Sequence, residues 1–233
     1  NVASGDVPYT FVGTSPEATF WLLRCEDNLT ESLAEEDFWA AAAEFADSVG
    51  VDIISSSLGF HAFDNPDDNY DYRQLDGHTA LISRTASMLA GKGIVLVNSA
   101  GNDGMAAWKK INVPADATDI ITVGAVTPER RNAAFSSVGP TADGRVKPDV
   151  MALGSPTSVI TGRGTIIKDV GTSFSTPLVA GMVACLWQAL PGKTAKDIIR
   201  LVLDSCDNTA APDNIYGYGV PDFWRAYERG MKN

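Results

Sequence analysis

Cationic residues are scarce in this chain: 18 Lys and Arg stand against 29 Asp and Glu, a formal net charge of −11 over 233 residues. Phosphate backbones are held by clustered Lys and Arg, so this balance argues against nucleic acid as a partner. Long apolar runs are also missing. No stretch approaches the roughly 18 residues that a membrane-crossing helix needs, and no membrane span is expected; Leu178 to Leu190 reads as a buried core helix. Cysteine is sparse. Cys25, Cys185 and Cys206 lack metal-ligand spacing, and an odd count excludes a fully paired framework, so no structural disulfide is expected. Cys185 reads as a small apolar packing residue. Histidine occurs only twice, at His61 and His78, which limits the supply of general bases. No charged-then-apolar leader opens the chain, and a chain that starts inside a domain carries no record of its own targeting.

What is present suits one α/β domain: 45% of residues are apolar, enough for a sizeable core. Residues 35 to 49 place Phe38, Ala42, Phe45 and Val49 at helical spacing, with Gly50 as the C-cap. Residues 51 to 58 then read as a buried strand, and a second helix is expected from about Gly77 to Ala90. Apolar strands follow at 94 to 98, 120 to 126 and 149 to 153. A helix from about Ser173 to Pro191-Gly192 precedes an amphipathic helix through Leu203, opened by a Thr194/Asp197 capping box. Helices separating apolar strands predict a mostly parallel sheet with helices on both faces, and functional loops at the carboxyl ends of its strands.

Two segments carry chemistry. Gly-Thr-Ser-Phe-Ser-Thr-Pro at 171 to 177 sets Ser173 between a glycine and a helix start, where the hydroxyl can face a cleft and backbone N–H groups converge on it. Taken alone, the same residues also fit an ordinary helix N-cap. Residues 94 to 104 run an apolar strand into a glycine-flanked loop that presents the amide of Asn102, a donor suited to a developing oxyanion.

With Ser-Ser-Ser-Leu-Gly at 55 to 59, these segments closely resemble the subtilisin-like serine peptidases, or subtilases. Further matches in the same order are Val-Pro-Ala at 113 to 115, Thr-Val-Gly-Ala-Val at 122 to 126, Phe-Ser-Ser-Val-Gly-Pro at 135 to 140, Lys-Pro-Asp-Val-Met-Ala-Leu-Gly at 147 to 154 and Tyr-Gly-Tyr-Gly at 216 to 219. The resemblance runs from about Val12 to Tyr227 and implies a three-layer subtilisin-like architecture. Residues 1 to 233 would then be a single catalytic-domain fragment, roughly its back two-thirds, truncated at the N-terminal side. It also implies that Ser173 attacks a peptide carbonyl to form an acyl-enzyme, with Asn102 and the Ser173 N–H holding the oxyanion. Ser57, Leu58 and Gly59, with Ser99, Ala100 and Gly101, would flank an extended peptide or protein substrate. The family's catalytic Asp and His precede the region matched here, so a fragment of this extent is expected to be inactive alone, unless the missing N-terminal segment joins it as a separate chain. Neither His61 nor His78 sits in the context of the family's histidine.

By the same resemblance the Val113-Pro114 bond is expected to be cis. No cofactor and no metal ligand are assigned. An acidic patch from Phe63 to Asp76 reads as a solvated loop, with structural calcium as the alternative. A secreted or periplasmic location rests on the resemblance alone. Val170, Ser175 and Leu178 depart from the family's common residues around the nucleophile. The competing reading is a non-catalytic binding domain on the subtilase scaffold; a lipase-like hydrolase is disfavoured because no Gly-x-Ser-x-Gly elbow is present.

Overall fold

Four short strands stack in parallel in a computed structural model that describes residues 2–4 and 7–232. They are β3 (Ile53–Ser56), β4 (Val95–Ser99), β5 (Ile121–Val126) and β6 (Val150–Leu153), hydrogen-bonded in that order. Ile53 pairs with Val95, Val97 with Ile121, and Val123 with Val150, so the strand ends line up at one rim. Two small antiparallel ribbons accompany the sheet: β1 (Val2–Ser4) with β2 (Val7–Phe11), and β7 (Thr157–Ile160) with β8 (Ile166–Asp169).

Helices cover both faces, as a buried parallel sheet requires. Because side chains alternate along a strand, Val95 and Val97 face one way and Leu96 the other. Val95, Val97, Ile121, Val123 and Val150 pack with Val183, Leu186, Ile198 and Val202 of α3 (Thr172–Ala189) and α4 (Ala195–Ser205). Leu96 and Ala100 pack with Trp39, Ala43, Ile82 and Ala86 of α1 (Ala34–Ser48) and α2 (Leu81–Met88). The Thr194 capping box forms with Asp197 as expected. Helix α5 (Phe223–Lys232) and the β7–β8 ribbon were not anticipated from sequence. No helix among the described residues is long and apolar enough to cross a membrane.

The expected core face of α1 is corrected. Its buried side chains are Glu35, Glu36, Trp39, Ala43 and Ala46, whereas Phe38, Phe45 and Val49 are exposed and Ala42 is half-buried. The two glutamates are buried because each holds an otherwise orphaned donor. Glu35 accepts from the N–H groups of Asp27 and Ser32. Glu36 accepts from Ile82 N at 3.0 Å, near the start of α2, and from the Tyr70 hydroxyl at 2.6 Å. Periodicity alone could not rank a face of two carboxylates above one of two phenylalanines.

A buried ion pair secures the start of β6. Lys147 Nζ lies 2.6 Å from Asp149 Oδ2 and 2.9 Å from Thr122 Oγ1, and the same carboxylate accepts from Thr122 N at 2.7 Å. Burial pulls the Lys147 ammonium below its usual value, while Asp149 opposes that shift. The acidic patch holds two 3-10 turns. Asp71 caps Arg73, Asp76 accepts from His78 and Thr79, and Asp64 accepts from Glu31.

Candidate active site

The site gathers at the carboxyl ends of β3 and β4 and the amino end of α3. Ser173 is the second residue of α3 and is half-buried. Its carbonyl would ordinarily accept the helical bond from residue 177, but Pro177 has no N–H to give. The Ser57 hydroxyl donates to it instead, at 3.0 Å. One proline therefore ties the strand end at Ser57 to the helix that carries the candidate nucleophile.

Asn102 is fixed by its carbonyl oxygen. Oδ1 accepts from Thr172 N at 3.0 Å and from Thr172 Oγ1 at 3.0 Å. A backbone N–H can only donate, so the amide orientation is set by chemistry and Nδ2 is turned away from Thr172 with no acceptor among the described residues. Asn102 is exposed, and the amino end of α3 lies beside it. The Ser173 N–H likewise has no acceptor among the described residues, as befits a first-turn amide. Two donors without partners among the described residues thus belong to Asn102, bonded to Thr172, and to Ser173, the neighbour of Thr172.

Gly154 lets the chain after β6 reach this point. An added Cβ there would collide with Ser175 Oγ, Ala125 and the Gly171 carbonyl, and Gly154 O accepts from Gly171 N at 2.9 Å. Gly101, at φ 109°, turns the β4 loop toward α3 in a conformation that side chains rarely adopt.

Of the residues assigned to substrate, Ser57, Leu58, Gly59 and Gly101 are exposed or half-buried, while Ser99 and Ala100 are buried at 5% and 0% exposure. Ala100 commits both backbone groups internally, to Val123 O and from Asn112 N. The N–H and C=O groups of Ser57 and Gly59 have no partners among the described residues.

The two histidines lie elsewhere. His61 stacks on Trp108 with ring centroids 4.7 Å apart, and its Nδ1 is 4.0 Å from Asp103 Oδ2. The His78 backbone N–H donates to Asp76 ahead of α2. Neither ring is hydrogen-bonded to Ser173 among the described residues. The Val113-Pro114 bond is cis. Among the described residues no group of three or more His, Cys, Asp or Glu is arranged to hold a metal. Sequence reasoning passed over Thr172, which orients Asn102, and Asn112, which packs between Gly59 and Gly101. The Pro177 to Ser173 spacing of four was legible but unused.

Residues 2–219 match the Subtilase family model. Serine protease AprX of Bacillus subtilis (strain 168) is 33% identical over 192 residues, which are 73% of this chain and 41% of that protein. Subtilisin-like protease SBT6.1 of Arabidopsis thaliana is 30% identical over 204 residues, 80% of this chain and 18% of its own length. This chain therefore spans less than half of either relative. The self-cleaved protease domain of PatA superposes with a TM-score of 0.67 at 25% identity, covering 85% of this chain and 69% of that one. MycP1 with its N-terminal propeptide removed shares the fold at a TM-score of 0.70 and 21% identity, over 93% of this chain and 73% of that one. With this strand order and a family match over residues 2–219, the chain belongs to the Subtilase family.

Proposed function

We propose that this chain carries the nucleophile and oxyanion site of a serine endopeptidase. The observation that carries the reading is that Asn102 is held through its Oδ1 by Thr172, the residue before Ser173, while Asn102 Nδ2 and the Ser173 N–H have no acceptor among the described residues. Ser173 Oγ attacks the peptide carbonyl, and its proton passes through a general base to the leaving amine. The acyl-enzyme is then hydrolysed by water, which restores the hydroxyl. The substrate strand lies against the unpartnered backbone groups of Ser57 and Gly59.

The general base and its orienting carboxylate come from a segment outside these 233 residues, in the same polypeptide or as a separate chain docked on this one. Two features support such a docked segment. The outer edge of β6 is closed by Tyr218 and Gly219, which bond to Asp149 and Met151, whereas the outer edge of β3 has no backbone partner among the described residues. Trp21, Phe38 and Phe45 also expose apolar surface, with Trp21 edge-on to Phe45 at 5.4 Å. In this account residues 1–233 alone are inactive. A secreted or periplasmic location is what the family resemblance suggests, and the proposed chemistry calls on no cofactor, with structural calcium as the alternative for the acidic loop.

The test is turnover of a peptide substrate by the natural full-length protein and its Ser173→Ala variant. Loss of at least about 10³ in kcat with the fold intact is expected for removal of a nucleophile. Full activity in the variant would refute the assignment, and an inactive natural protein would favour a non-catalytic scaffold.

A further inference from the structure

We infer that Ser57 is a positioning residue for Ser173: its hydroxyl supplies the hydrogen bond that Pro177 withholds, and so sets the candidate nucleophile against the strand end where the substrate lies. The inference rests on the proposed peptidase reading and gives the Ser57 side chain a role separate from that of its backbone.

The residues around Ser173 are tied to other parts of the sheet. Thr172 Oγ1 donates to Gly101 O at 3.3 Å and to Asn102 Oδ1 at 3.0 Å, just past β4, and Ser175 Oγ donates to Ala152 O of β6 at 3.1 Å. None of these bonds reaches β3. Among the described residues, the one hydrogen bond between residues 53–59 and α3 runs from the Ser57 hydroxyl to the Ser173 carbonyl, at 3.0 Å across 116 positions of chain. In the proposed site the attacked carbonyl is presented along Ser57 to Gly59 and the attacking hydroxyl stands on α3. This bond therefore joins the supports of the two reacting groups directly.

The carbonyl is open to Ser57 because of the proline. Pro177 lacks the N–H that would close the helical bond to Ser173 O, and a proline ring crowds the carbonyl four residues back, here that of Ser173. The ring is exposed, so replacing it removes little packing and mainly restores a donor. Without the Ser57 hydroxyl, the carbonyl of the nucleophile's own residue loses its replacement donor, and the start of α3 loses its hydrogen bond to the β3 end. A displacement of about 1 Å between reacting groups costs about 10²-fold in rate, so a fraction of that is enough to be read in kcat.

Steady-state kinetics on one peptide substrate, with the natural full-length protein and variants of it, tests this as a double-mutant cycle. Ser57→Ala should lower kcat at least about tenfold and move KM by less than about threefold, because the substrate-facing backbone is kept. In a Pro177→Ala background the helix has its own N–H for the Ser173 carbonyl, and the same Ser57→Ala change should cost less than about threefold in kcat. Pro177→Ser supplies the same N–H and repeats the cycle where the alanine variant folds poorly. A hydroxyl that served only folding or substrate binding would cost the same in both backgrounds. That outcome, a smaller loss in the natural background, or a loss carried by KM with kcat unchanged overturns the inference and leaves the peptidase reading standing. No turnover by the natural protein, or full turnover after Ser173→Ala, removes the peptidase reading and this inference together.

Discussion

Asn102 keeps its amide nitrogen without an acceptor among the described residues while Thr172 occupies the oxygen end of the same group with two donors, which in the proposed site leaves that nitrogen for an oxyanion. A donor held this way costs no reorganisation when charge develops on the substrate oxygen, so its contribution belongs to the transition state. Asn102→Ala in the natural full-length protein should lower kcat by about 10²–10³, the magnitude known for such an asparagine in this family, with KM little changed. Steady-state kinetics on one peptide substrate checks this; a variant within about threefold of the natural kcat would remove Asn102 from the oxyanion site. At this scale the sequence was informative about identity and silent about support. Ser173 and Asn102 stood out because short glycine-flanked motifs specify backbone geometry locally. Thr172 and Asn112 act through contacts with residues 70 and 9 positions away, which no local pattern encodes.

Asp116 shows how one carboxylate ties two elements. It accepts from Gly77 N at 2.7 Å, just before α2, and from Ser83 Oγ at 2.5 Å within it. Burial holds its carboxyl above the ordinary value of 3.8, and the hydrogen bonds only partly offset this. A raised folded value means that the protonated form is favoured in the native state. The stabilisation is fully present below the unfolded value and is lost as pH rises through the folded one. Asp116→Asn removes the titration. The stability of the natural protein relative to this variant should therefore fall from about pH 4 upward, at no more than about 1.4 kcal/mol per pH unit. Urea unfolding at steps from about pH 4 to 7 checks this; parallel curves for the two proteins would contradict it. Helix α1 marks the limit of reading elements from sequence. Its extent was legible from spacing, but its buried face was not, since Glu35 and Glu36 are interior only because partners elsewhere in the chain need acceptors. The Thr194 capping box was legible because both partners lie within one turn.

Across the whole molecule, a parallel sheet brings distant segments to one rim, and that rim carries the candidate site residues. Its four strands were readable as apolar runs because both faces are covered, and the family order of motifs fixed how they assemble. The β7–β8 ribbon was not readable, because its β8 residues are all exposed and carry no burial pattern. The open β3 edge and the apolar surface at Trp21, Phe38 and Phe45 belong to this scale too, as the surface on which a base-supplying segment would sit. The central claim is that Ser173 is a nucleophile activated within a complete site. Treating the natural full-length protein with a fluorophosphonate probe, then mapping the adduct by peptide mass, addresses it directly. A single adduct on Ser173, lost when the protein is unfolded beforehand, is the result this account predicts. An unlabelled Ser173 in the folded protein, or labelling at another residue, would contradict it.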